Sequence, residues 1–233
     1  VVLLLVAAVA LNEGMDSVLS ASGSSKNVIL LGKGSEESIE RSEVHLDAES
    51  SVITSIRGLE EQLGVTAVSG EITYQAPIRT ESGKEEQAIM RGVLEKALLV
   101  HTSVQLLEGH FPGPGEVMIG RLAHRKIGVS ESELAPGKTI QFENETLTVS
   151  GIFAAPGTVL ESEIWFDRNA LASLTQRDTL SAITIRMDDA EFDDVQVFTL
   201  QRNDLELAAI QEDTYYSKLG VFYQPIKMMT WVT

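Results

Sequence analysis

LLEGHFPGPGEVMIGRLAHRKIGV (residues 106–129) and LAPGKTIQFENETLTVSGIFAAPGTVLESEIWFD (residues 134–167) decide how this chain is read. Gly109, Pro112, Gly113, Pro114 and Gly115 are turn punctuation, which keeps regular structure from starting before Glu116. Val117-Met118-Ile119 is a short apolar strand closed by Gly120, and Leu122, Ala123, Lys126 and Ile127 suggest a helix after it. Past the Pro136-Gly137 turn, Thr139–Phe142 and Leu147–Phe153 alternate apolar and polar around Asn144, which predicts a β-hairpin. None of this carries a catalytic motif.

Outward from that stretch, the N-terminal part reads as β-α-β. Asn27–Leu31 is an apolar strand ended by Gly32. A helix follows Ser50, its face marked by Val52, Ile56, Leu59 and Leu63, with Gly64 as its terminator. Val65–Ile78 alternates as a strand, Glu81–Gln87 is a charged turn, and Ala88–Val93 is a further strand. Beyond the central stretch the order repeats. Ile164–Phe166 is a buried strand end, and Asp167 caps a helix bearing Leu171 and Leu174. Ser181–Met187 is a strand, Phe192, Val195 and Phe198 mark a helix face, and Leu205–Ile210 is the last strand. The expected fold is α+β and two-lobed: a split ferredoxin-like β-α-β/β-α-β lobe holding an inserted mixed α/β lobe.

Composition narrows the function classes. The 233 residues suffice for one sizeable core or two small lobes. A net charge of −16 argues against nucleic acid as a partner and against adsorption to anionic lipid. With no cysteine there is no disulfide framework and no thiolate chemistry. Val1–Leu11 is wholly apolar but shorter than the roughly 20 residues a spanning helix needs. A signal-peptide remnant, a buried core helix and the outer end of a transmembrane helix all fit; the apolar Ile226–Thr233 favours the last. Asn12–Lys26 is small and polar, a linker by composition.

The chemical candidates are weak. GKGSEES after Gly32 lacks the phosphate-loop register, and Gly137-Lys138-Thr139 lacks both the earlier glycine and a following helix. His45, His101, His110 and His124 show no metal-ligand spacing, and no cofactor is expected. Adjacent acidic pairs such as Glu60-Glu61 and Asp193-Asp194 read as a solvated face, and no G-x-S-x-G elbow is present. Asn144-Glu145-Thr146 is a glycosylation sequon by pattern only. Two groups remain as contact candidates. Phe111, Pro112 and Pro114 form a rigid apolar turn that either plugs the core or meets a partner protein. Tyr215, Tyr216, Phe222, Tyr223 and Trp231 cluster near the C-terminus, with Tyr223, Pro225 and Trp231 placed as membrane-proximal and Pro225 bending the final helix.

Read whole, EGHFPGPGEVMIG, LAPGKTI, LTVSGIFAAPGT and ESEIWFD, with RGV at Arg91–Val93 and the closing YYSKLGVFYQPIKMMTWVT, resemble the periplasmic core domain of MacB/LolC/FtsX-like ABC transporter permeases. The resemblance implies a non-catalytic extracytoplasmic domain in a bacterial inner-membrane permease. It implies ATP hydrolysis on a separate ATP-binding subunit or domain, a second permease copy or homologue, and a periplasmic protein as a further partner. The role would be mechanotransmission: motion of membrane helices passed to cargo export, lipoprotein or lipid release, or signalling. In that frame residues 1–11 are the outer end of a truncated first transmembrane helix, 12–92 the first part of the ferredoxin-like lobe and 93–163 the insert. Residues 164–217 complete the lobe, and 218–233 lead to a second transmembrane helix. The two chain ends should then meet and run antiparallel. The competing reading is a stand-alone secreted binding or hydrolytic domain.

Overall fold

The computed structural model describes residues 2–222, with side chains at residue 10 and at 13–219. Helix α1 (Val2–Ser22) opens the chain, followed by β1 (Asn27–Gly32), α2 (Asp47–Ser55), β2 (Val68–Thr80) and β3 (Glu85–Val93). Then come α3 (Ala97–Val100), β4 (Gln105–Gly109), β5 (Glu116–Gly120), α4 (Ala123–Ile127), β6 (Thr139–Phe142) and β7 (Glu145–Ala154). The chain continues through β8 (Ile164–Asp167), α5 (Arg168–Thr175), β9 (Ala182–Arg186), α6 (Phe192–Gln201), β10 (Leu207–Gln211) and α7 (Glu212–Phe222).

These strands join into one mixed sheet ordered β10-β1-β9-β2-β3-β8-β5-β7-β4, with β6 pairing β7 and β2. The first four are mutually antiparallel with two split β-α-β units, the ferredoxin-like order. The pivot is β2. Its N-terminal half, Val68–Glu71, pairs with β9, while Ile72–Arg79 pairs with β3. One strand therefore belongs to both lobes. The fold is α+β, as expected. β3 and β8 pair with each other in parallel, and β8 with β5, so both sit in the insert's half of the sheet.

The unbroken apolar run of β1 is explained by burial on both faces. Val28 and Leu30 share one core with Val52 of α2 and Phe198 of α6, whereas Ile29 and Leu31 share another with Leu19 of α1 and Tyr215 of α7. In the insert, Trp165, Phe153 and Met118 form a second core with Val93 and Val104. Asp167 caps α5 through a 2.9 Å bond from the Ala170 amide, and β6–β7 is the expected hairpin.

Three expectations are corrected. Residues 12–22 are not a linker but the continuation of α1. Met15, Leu19 and Ser22 turn inward at helical spacing, so the small polar residues between them are only its solvated side. Helix α2 stops at Ser55, and Leu63 is 99% exposed. Leu59 instead bridges to Met187 and the Glu60 amide donates to Arg186, so strand-like pairing overrides the apparent helical spacing. Tyr215 and Tyr216 are buried at the base of α7 rather than at an interface. Among the described residues no helix is long and apolar enough to cross a membrane.

Candidate functional site at the lobe junction

Glu71 sits where β2 passes from one lobe to the other and is 0% exposed. Alternation along β2 puts Ser69, Glu71 and Thr73 on a face that, by pattern, should be solvated. Here α3 packs over it, and the Glu71 carboxylate is satisfied ionically, while the Ser69 and Thr73 hydroxyls have no hydrogen-bond partner. The Arg91 Nη1 group on β3 donates to Glu71 Oε2 at 2.7 Å, and His101 Nε2 lies 2.6 Å from Glu71 Oε1. Arg91 Nε and Nη2 each donate to Glu163 at 2.7 Å, a bidentate pair, and Trp165 Nε1 donates to the same carboxylate at 3.1 Å.

A buried carboxylate is costly unless it is paired. Burial pushes the Glu71 acid upward, but His101 and Arg91 overcome it and hold the group at about 2. For His101 burial acts downward, and Glu71 more than offsets it, raising the imidazole above its ordinary value. The ring also stands edge-on to Trp165, with centroids 5.9 Å apart.

The neighbouring residue on β2 carries a matching arrangement on the opposite face. The Gly70 amide donates to Glu49 Oε1 at 2.8 Å, and Glu49 of α2 pairs with Arg168 of α5 at 2.8 Å and Lys96 at 2.7 Å. Gly70 lies close under this cluster, since a Cβ there would meet the ends of the Arg168 and Leu180 side chains at 2.9 and 2.7 Å and push them aside. Two ionic clamps, one per face, thus grip β2 at the lobe junction.

The end helices are rooted beside the first clamp. Met15 and Leu19 of α1 share a cluster with Tyr216 and Leu219 of α7, and Gly23 lies against Asp213. The C-terminal end of α1 therefore meets the N-terminal end of α7, and the two helices run antiparallel. Glu212 of α7 accepts from the Ser24 amide and from Asn27 Nδ2, each at 3.0 Å, and Asn27 donates on to the Val100 carbonyl. Ser22 Oγ accepts from the Val159 amide of the insert at 2.8 Å. The helix pair is tied to both lobes.

The candidates from sequence fall elsewhere. Phe111 is partly buried against the Trp165 core and Pro112 is buried, so that turn leans inward and leaves Pro114 exposed. The inward lean follows from the apolar bulk of Phe111 packing against the cluster that holds Phe153, Met118 and Trp165. Tyr223, Pro225 and Trp231 lie outside the described residues. The junction residues escaped sequence reasoning because Glu71, Arg91, His101 and Glu163 are scattered and obey no spacing rule. A charged residue inside a strand otherwise rich in buried positions was the available signal. No group of three or more His, Asp or Glu side chains among the described residues could hold a metal.

A split ferredoxin-like lobe with a clamped insert, carried on an antiparallel helix pair, defines the class: a two-lobed α+β core domain. The fold resembles the crystal structure of the periplasmic region of MacB from Actinobacillus actinomycetemcomitans, with a TM-score of 0.61 at 12% identity, covering 89% of this chain and 94% of that one. It also resembles the extracellular domain of the noncanonic ABC-type transporter YknZ from Gram-positive bacteria, with a TM-score of 0.58 at 11% identity, covering 79% and 99%. No curated protein sequence matches the chain. The family described as the MacB-like periplasmic core domain matches residues 1–196, and the chain belongs to that family. It is the extracytoplasmic domain of an ABC transporter permease.

Proposed function

We propose that this domain is a non-catalytic transmission element, passing motion from membrane helices to partners outside the cytoplasm. The observation that carries the reading is the rooting of the antiparallel α1–α7 pair: Ser22 ties it to the insert, and Glu212 ties it to the ferredoxin-like lobe. A displacement of the pair thus reaches both lobes at once. The clamps on either face of β2 keep the lobes from absorbing it by bending, because interfaces built from packed side chains and buried ion pairs resist small strains.

In this reading α1 and α7 continue toward the bacterial inner membrane and into helices of the same permease. A separate ATP-binding subunit or domain supplies the work, and a second permease copy or homologue completes the transporter. Export, lipoprotein or lipid release, or signalling to a periplasmic protein would all use the same joint. The test uses the full permease with its ATP-binding subunit in liposomes. Hydrogen exchange at Ser22–Asn27 and Glu212–Tyr216 should change between the ATP-bound and nucleotide-free states. Identical exchange in both states would overturn the reading.

A further inference from the structure

A pocket of about 330 Å³ lies between the end-helix pair and the insert, within the size range of small-molecule sites. Leu19 of α1, Leu219 of α7 and Val159 contribute apolar wall, and Thr73, Arg91 and Tyr216 contribute polar groups. Those polar groups have unused capacity. Thr73 is 5% exposed, and its hydroxyl has no hydrogen-bond partner. The Tyr216 hydroxyl has none among the described residues, although the side chain is buried. Arg91 commits three of its five N–H groups to Glu71 and Glu163. Lys126 also lines the pocket and forms no ion pair among the described residues.

An unpaired buried hydroxyl is costly, so a pocket holding several spare donors calls for an acceptor. The local acceptors do not fill that need. Both oxygens of Glu163 are taken by Arg91 and Trp165, and Glu37 and Glu40 stand exposed at the rim. Burial pushes the Tyr216 phenol upward, so it stays protonated and able to donate.

We propose that this pocket binds an amphipathic carboxylate, its head on Thr73, Tyr216, Arg91 and Lys126 and its short aliphatic chain along Leu19, Val159 and Leu219. The acceptor head completes the unused donors, and the chain replaces water against the apolar wall. Such a ligand would touch α1, α7 and the insert together. The assignment stands on the pocket alone and does not need the transmission reading.

The probe is decanoate, titrated into the purified chain by calorimetry, with acetate and decanol as separate arms. Saturable one-to-one binding of decanoate at submillimolar concentration is expected, with acetate and decanol each at least about tenfold weaker. Thr73→Val and Lys126→Met should each weaken decanoate at least about fivefold while leaving the melting temperature within about 2 °C. No saturable decanoate binding below about 5 mM would mean the pocket holds water only. That result would overturn the proposal. So would decanol binding as well as decanoate, which removes the head site, or acetate binding as well as decanoate, which removes the chain site. Binding unaltered by both substitutions would place the ligand elsewhere.

Discussion

Arg91 holds Glu163 with two parallel 2.7 Å bonds while its third donating nitrogen reaches Glu71, so one guanidinium on β3 links β2 to the segment entering β8. Removing it leaves two buried carboxylates without their shared cation. Arg91→Ala is expected to cost about 3–5 kcal/mol, the range for breaking a buried pair from one side. For a domain of this size that is a fall of roughly 10 °C in Tm, read by thermal melting. A shift within 2 °C would show the clamp to be dispensable.

The Glu71–His101 contact sets a pH window for stability. Glu71 is depressed in the fold, from 4.5 to about 2, so its contribution is present above about 4.5 and lost as pH falls toward 2. That contribution is on the order of 3 kcal/mol. His101 is raised, so its contribution is full below its ordinary value of 6.5 and lost as pH rises through the higher folded value. Denaturant midpoints should therefore peak in mildly acid solution. His101→Gln should flatten the alkaline limb and leave the acid limb sloping; an unchanged alkaline limb would assign that limb to another group.

Gly109 and Gly151 face one another across β4 and β7, each without room for a side chain. A Cβ on Gly151 would meet the Glu108 carbonyl at 2.6 Å, and Gly109 has φ +82°, with the Ser150 carbonyl against it. Gly151→Val should destabilise by about 1–3 kcal/mol, and Gly109→Ala by a similar amount through its left-handed backbone. Chemical denaturation checks both, and a wild-type midpoint for either would mean that the strands can shift.

How far the sequence foretold this structure depended on how local each signal was. The β6–β7 hairpin and the Asp167 cap were legible because a turn, an alternation or a cap is complete within a few residues. Helix α2 is shorter than the sequence pattern suggests because Ile56 and Leu59 keep helical spacing, while Ile56 caps the helix and Leu59 makes a strand-like bridge to Met187. Residues 12–22 looked like a linker because Gly14, Asp16, Ser17 and Ser20 fill the exposed side of α1. The junction was hidden for a different reason. Glu71 and His101 are 30 positions apart and Glu71 and Glu163 are 92 apart, so only the folded sheet makes them neighbours.

Leu19 is the buried contact of α1 with Tyr215 and Tyr216 of α7. Leu19→Ala should cost about 2–4 kcal/mol locally by opening a cavity between the helices. Hydrogen exchange should then speed up in α1 and at the start of α7, while the β5–β7 amides keep their protection. Uniform acceleration across the sheet would show that the helix pair and both lobes unfold as one unit.

The central claim is that motion entering through α1 and α7 moves the whole clamped domain. The most direct measurement is the distance between the two domains that the proposed pairing with a second permease copy would bring together, each spin-labelled at exposed Leu200, with and without bound ATP analogue. The account predicts a nucleotide-dependent shift in the distance distribution that is retained by Leu200-labelled protein and lost or broadened with Arg91→Ala. Superimposable distributions in the two nucleotide states of the otherwise unaltered permease would contradict it.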